Sequence, residues 1–208
     1  MTFIKICGIT NIDDAQAAVA LGVDALGFNF FKLSPRYIAP GPARFIIELL
    51  PDSPLTVGVF VNEDLDTVRR IAEEAGIKAL QLHGDESPAY CRELAADYYV
   101  IKTFSVSDSF DIQILKEYEV EAIMLDTKHN TMRGGTGRVF NWSIAQQLSK
   151  TVPKLFLAGG LSPENIENAI KTVHPYAVDA CSALEARPGK KNHERMRVFV
   201  NTVRRVAP

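Results

Sequence analysis

The sequence predicts an α/β chain folded as a single (β/α)₈ barrel spanning residues 1–208. Three observations carry this expectation. Eight short apolar, β-branched runs recur along the chain, each followed by a longer helical pattern. The 208 residues suffice for one sizeable core and are too few for two ordinary domains. The turn after the first run reads Cys7-Gly8-Ile9-Thr10, not the GxGxxG that a doubly wound open sheet would place there.

The eight runs are residues 3–7, 25–28, 56–61, 79–83, 99–103, 122–126, 155–158 and 177–181. The helical stretches that stand out are 12–21, 65–75, 88–96, 143–150, 163–173 and 193–206. Asn11 is a good N-cap for the first of them, and Ser162-Pro163-Glu164 puts proline at a first helical position. Gly22 and Gly76 stand where helices should stop. No linker or low-complexity stretch divides the chain.

In a barrel, alternate strand residues face the helices and the interior. Ile4 and Ile6 suit the helix side of the first strand, so Lys5 and Cys7 point inward. By the same alternation Leu80 and Leu82 face out and Gln81 and His83 face in. Ile123 and Leu125 face out, leaving Met124 and Asp126 inward. Val178 faces out, with Asp179 and Cys181 inward. Lys102 is placed inward on the fifth strand. Polar, reactive groups thus gather on the inner parity, several at strand C-terminal ends, where (β/α)₈ enzymes place their chemistry. This points to an enzyme rather than a structural protein.

Apolar residues make up 47% and charged residues 23%, with a net charge of −2 and a pI near 6.1. That is the mix of a soluble globular protein and gives no basic patch for nucleic acid. The three cysteines, Cys7, Cys91 and Cys181, are an odd number without a CxxC pair, which argues against a disulfide framework or zinc site and for a reducing, cytoplasmic setting. No signal peptide is visible, and no run approaches the ~18 apolar residues of a membrane span.

Cys7 ends the first strand. It reads either as a small buried apolar residue or, given its inward parity and the following Gly8, as a nucleophile or general base whose thiol must ionise more readily than a free one. Asp126 ends the sixth strand, as a cap, a loop acceptor or an acid–base group. Strands one and six are three steps apart in a ring of eight, so Cys7 and Asp126 should face each other across the mouth. That arrangement suits removal of one proton and delivery of another. Gly159-Gly160 follows strand seven and Ser182-Ala183-Leu184 follows strand eight, the two loops that recurrently form a barrel's phosphate site. Arg36, in the loop after strand two, is either solvated surface or a bidentate grip on a carboxylate. The connection 127–140, with Arg133-Gly134-Gly135-Thr136-Gly137, reads as a lid or as a plain surface loop. His83 suits a role lining or supporting the substrate site; no second ligand stands at metal spacing. His129, His174 and His193 read as surface residues and Cys91 as helix packing.

These residues in this order resemble the phosphoribosylanthranilate isomerase family of tryptophan biosynthesis, a group of TIM barrels. The likeness rests on KICGIT (5–10), DALGF (24–28), SPRY (34–37), VGVFVN (57–62), LQLHGDE (80–86), MLDT (124–127), RGGTG (133–137), FNW (140–142), LAGGLSPENI (157–166) and VDACS (178–182). It implies Cys7 as general base, Asp126 as general acid and Arg36 on the anthranilate carboxylate. It further implies phosphate on Gly159, Gly160 and the Ser182-Ala183 turn, and Asp179 beneath the ribose. The implied reaction is an Amadori rearrangement that needs no metal, redox step or organic cofactor, in a monomer or homodimer. Where the family reads S-S-G-V-E after strand eight, this chain has Cys181-Ser182-Ala183-Leu184-Glu185, and alanine there disfavours a positive φ. Asn192 replaces a usual aspartate, and Asn29 an apolar residue.

Two other functions compete. An aldolase would use Lys5 or Lys102 as a Schiff-base nucleophile; the plainer reading of Lys5 is an ion pair with Asp179. A phosphosugar-binding regulator would have lost Cys7 or Asp126, and both are present.

Overall fold

The computed structural model describes residues 1–51, 54–107, 110–126 and 142–206. Eight parallel strands close into a ring in chain order, with the first pairing with the last. They are β1 (Phe3–Cys7), β2 (Ala25–Asn29), β3 (Leu55–Phe60), β4 (Ala79–Leu82), β5 (Tyr99–Ser105), β6 (Ala122–Asp126), β7 (Leu155–Ala158) and β8 (Ala177–Ala180). β1, β6 and β7 have the expected bounds, and the other strand ends shift by at most two residues, within the usual fraying of such boundaries.

Each strand has apolar residues on both faces because each face is covered. The outer face, with Ile4, Ile6, Leu26, Phe28, Leu80, Leu82, Leu125 and Val178, packs beneath the helices in one large cluster. The inner face holds a second, separate cluster built largely of small side chains: Ala25, Val57, Ala79, Ile101, Ala122, Met124, Phe156, Ala158 and Ala177. Phe3, Leu55 and Tyr99, at strand starts, pack against it from the N-terminal end. The barrel is therefore filled from the bottom, and space remains only at the top.

The helices are α1 (Ile12–Ala20), α2 (Pro40–Glu48), α3 (Leu65–Ala75), α4 (Pro88–Ala95), α5 (Ser143–Leu148), α6 (Ile166–Val173) and α7 (His193–Val206). Asn11 caps α1 by accepting from the Asp14 N–H, and Gly76 ends α3 in a left-handed conformation. Three expectations need correcting. Pro163 lies in a turn before α6, whose cap position is Asn165. The β5–β6 connection carries a 3₁₀ turn, Ile112–Glu117, instead of an α-helix. After β8 a 3₁₀ turn, Ser182–Leu184, leads into a small hairpin of β9 (Glu185–Arg187) and β10 (Lys190–Lys191), which the sequence reading did not include.

Lys102 is the clearest correction. Register pairs Gln81 with Ile101 and Leu82 with Lys102. Residues paired in parallel strands share a face, so Lys102 lies with Leu82 on the helix side. There its Nζ meets Glu86 Oε2 at 2.9 Å and the carbonyls of Leu82, Gly84 and Thr103. This buried ammonium ties the β4–α4 loop to the barrel and has no access to the interior.

Candidate active site

A cavity of about 270 Å³ opens at the C-terminal end of the strands. Cys7, Arg36, Gln81, His83, Asp126, Gly159, Gly160, Asp179, Ser182 and Ala183 all line it, joined by Asn29, Ser34, Val59, Ala158, Leu161 and Cys181. The ten residues expected to form the isomerase site thus meet in one place, whereas Lys5 and Lys102, the Schiff-base candidates, do not line it. A larger, more open groove of about 570 Å³ lies against Thr10, Asp13, Arg187 and Lys190, but no barrel strand contributes to it.

The floor beneath Cys7 is charged. Lys5, fully buried, pairs with Asp179 Oδ1 at 2.8 Å across the β1–β8 seam. Gly27, opposite Cys7 on β2, makes room for both the thiol and the ammonium: a Cβ there would stand 2.8 Å from Cys7 Sγ and 3.0 Å from Lys5 Nζ. The Cys7 thiol is lowered to about 6, chiefly by a hydrogen bond from Cys181 and then by the charge of Lys5, against the opposing effect of burial. The same contact pushes the Cys181 thiol well up. Charge balance agrees. Lys5, Arg36 and Lys191 are three cations around the two thiols; Asp179 and Glu185 supply two negative charges. One thiolate neutralises the cluster. Burial opposes the charge on Lys5, but Asp179 and Cys7 together outweigh it and drive Lys5 further towards its charged form, so it is no amine nucleophile.

Asp126 stands at the end of β6, about one-quarter exposed, with His83 Nε2 3.1 Å from its Oδ2. Gln81 Nε2 lies 3.1 Å from His83 Nδ1. A donating amide at Nδ1 puts the neutral ring's proton on Nε2, facing the carboxylate. His83 is thus a partner of Asp126 held in place by β4. Gln81 Oε1 is buried with no hydrogen-bond partner among the described residues.

Gly159 and Gly160 follow β7 with φ of 84° and 69°, a left-handed pair that side chains would strain. Asn165 Nδ2 donates to the Gly160 carbonyl at 2.9 Å and fixes the turn. Across from it, Arg195 Nε holds the Ala183 carbonyl at 2.7 Å. Ala183 is not among the residues with positive φ, so its Cβ causes no backbone strain. Asn192 accepts from the Arg195 N–H at the start of α7, a capping role that amide and carboxylate share. Asn29 accepts from the Phe31 N–H and shapes the loop after β2.

Arg36 is engaged within the protein. Its Nε and Nη2 meet Glu185 Oε1 and Oε2 at 2.8 and 2.6 Å, a bidentate pair at the cavity wall. Lys191 adds a second cation to Glu185 at 3.2 Å. Sequence reasoning missed Glu185 and Lys191 because they lie on the hairpin beyond β8, where strand parity says nothing. His174 closes α6 in a left-handed conformation, and the partly exposed His193 pairs with Asp14 at 2.7 Å. Cys91 is buried in α4, and burial pushes its thiol up to about 11. The 127–140 connection and His129 lie outside the described residues. Among the described residues no group of three or more His, Cys, Asp or Glu could hold a metal ion.

Fold and site together define a (β/α)₈-barrel enzyme with a thiol and a carboxyl group facing one cavity at the barrel mouth. The family model for N-(5'-phosphoribosyl)anthranilate (PRA) isomerase matches residues 4–202, and the chain belongs to that family. The isomerase of Thermotoga neapolitana is 46% identical over 200 residues, covering 96% of this chain and 97% of the relative. That of Citrifermentans bemidjiense is 44% identical over 207 residues, covering 100% and 99%. The crystal structure of the Thermotoga maritima enzyme superposes with a TM-score of 0.88 at 40% identity over 98% and 99% of the two chains. A phosphoribosylanthranilate isomerase in complex with reduced 1-(o-carboxyphenylamino)-1-deoxyribulose 5-phosphate superposes at 0.86, with 38% identity over 98% and 99%. The activity is the aldose–ketose isomerisation of tryptophan biosynthesis.

Proposed function

We propose that this chain isomerises N-(5'-phosphoribosyl)anthranilate with Cys7 as general base and Asp126 as general acid. The observation that carries this assignment is their placement: both line one cavity, from strands three steps apart in the ring, with Lys5 beneath the thiol. Asp126 gives its proton to the furanose ring oxygen and the C1–O bond opens to a protonated Schiff base. The cationic imine acidifies the C2–H, and the Cys7 thiolate removes that proton. The enolamine then tautomerises, C1 gaining a proton as C2 becomes the ketone. His83 orients the Asp126 carboxyl, and Gln81 offers its unpartnered Oε1 to a ribose hydroxyl. Asp179 lies beneath the ribose with Lys5. Purified protein should consume phosphoribosylanthranilate in a fluorescence assay without added metal or cofactor; no turnover, or turnover dependent on an added cofactor, would overturn the assignment. The whole chain works as one domain, in the cytoplasm, as a monomer or a homodimer; sedimentation decides between the two.

Arg36 holds the anthranilate carboxylate from the edge of the guanidinium turned away from Glu185. That carboxylate keeps its charge through the reaction, so its binding is nearly uniform between ground and transition states. Arg36→Met therefore raises KM with little change in kcat in steady-state kinetics. A large fall in kcat at unchanged KM would contradict the role.

The phosphate sits on the backbone N–H groups of Gly160 and of Ser182 or Ala183. A phosphate titration followed by amide chemical shifts should move these resonances first. Since Ala183 does not occupy a positive φ, Ala183→Gly should bind phosphate at least as tightly as the parent, with no strain to relieve. Tenfold weaker binding would place the anion elsewhere.

A further inference from the structure

The cavity holds a second thiol that the isomerisation does not use. β1 and β8 are parallel neighbours in which Lys5 stands opposite Asp179 and Ile6 opposite Ala180. Cys7 and Cys181 are the next residues along the two chains, Cys181 lying just past the end of β8, and the two thiols are in hydrogen-bond contact. Neighbouring strands run about 4.7–4.9 Å apart, inside the roughly 4.4–6.8 Å between Cα atoms that a disulfide spans. Both side chains line the same cavity, so both sulfurs are reached from the same opening. Cys91, the remaining cysteine, is buried in α4 on the far side of the barrel wall.

We propose that Cys7 and Cys181 form a peroxide-sensitive pair, which closes to an intramolecular disulfide and reopens with a dithiol reductant. The Cys7 thiolate attacks one oxygen of hydrogen peroxide; an S–O bond forms, the O–O bond breaks and hydroxide leaves, giving a sulfenic acid. The Cys181 sulfur then attacks the Cys7 sulfur, the S–O bond breaks, and the departing hydroxide takes up the Cys181 proton as water. The balance is two thiols and one peroxide to one disulfide and two waters, the sulfurs being oxidised and the peroxide reduced. The surroundings favour the first step most directly. The cations beneath and beside the thiols stabilise Cys7 as thiolate, and Lys191 Nζ, 3.8 Å from Cys181 Sγ, opposes the upward push that Cys7 and burial give the attacking thiol. Closure consumes the proposed base and stops turnover, while sparing Cys7 from irreversible overoxidation.

The test uses the full chain treated with hydrogen peroxide, then alkylated, mapped by mass spectrometry and assayed in parallel. The parent should yield a linked Cys7–Cys181 peptide pair, with Cys91 alkylated only after unfolding. Activity should fall as the pair forms and return by at least about 80% with dithiothreitol. Cys181→Ser, compared with its own untreated activity, should lose activity that dithiothreitol does not restore, with Cys7 recovered as sulfinic acid. Oxidised parent protein without the linked peptides would overturn the proposal, as would full recovery of Cys181→Ser. The activity arm rests on Cys7 being the base and the mass arm does not. A complete disulfide with turnover intact would therefore remove the base assignment and leave the redox pair standing.

Discussion

Cys7→Ala and Asp126→Asn should each lower kcat by at least about 100-fold, the lower end of what a positioned acid or base supplies. Each substitution removes a proton carrier and leaves the cavity walls in place. Cys7→Ser should not rescue, because a hydroxyl does not ionise where the thiol does. The thiol, lowered to about 6 by Cys181 and Lys5, sets the sign of the pH dependence. Above that value the base is a thiolate; as pH falls through it the thiolate takes up a proton and kcat/KM declines. Thiolate absorbance in the free enzyme should titrate with the acidic limb and vanish in Cys7→Ala. Near-normal turnover in Cys7→Ala would pass the base role to His83 or Asp179.

Asp179→Asn should destabilise the fold by about 3–5 kcal/mol, because it leaves a buried ammonium without its counter-charge. Lys5 is fully buried and its Nζ has Asp179 as ion-pair partner at 2.8 Å. Replacing both partners, Lys5→Met with Asp179→Leu, should cost less than Asp179→Asn alone, since no charge then remains to be desolvated. Urea unfolding of the three proteins gives the comparison. A cost below about 1 kcal/mol for Asp179→Asn would mean that water or another group reaches Lys5.

Much of the site was legible because a strand has a strict two-residue period. Where one parity is plainly aliphatic, as with Ile4 and Ile6 or Ile123 and Leu125, the other must face the interior, and Lys5, Cys7 and Asp126 follow. β5 defeats the rule: Tyr99, Val100 and Ile101 are apolar on both parities, so alternation carries no sign and puts Lys102 on the wrong face. Its outward position became visible only through its register with Leu82. The Arg36–Glu185 pair joins residues 149 positions apart across two loops, which no local pattern encodes. The hairpin that supplies Glu185 and Lys191 has strands of three and two residues, too short for periodicity to mark. Resemblance implied a candidate acid and base; it gave no account of the thiol beside Cys7 or the cations around it.

The Lys5–Asp179 pair lies where the first strand of the chain meets the last. Its two halves stand 174 positions apart, so the carboxylate is made well after the ammonium. Without β8, the Lys5 ammonium has no carboxylate across from it, and burying it would leave an unpaired charge. Closing the ring dehydrates both charges in the same event that completes the hydrogen-bonded ladder. The last step of assembly and the making of the polar floor under Cys7 are thus one process, so a barrel lacking its final strand has neither a sealed interior nor a prepared base.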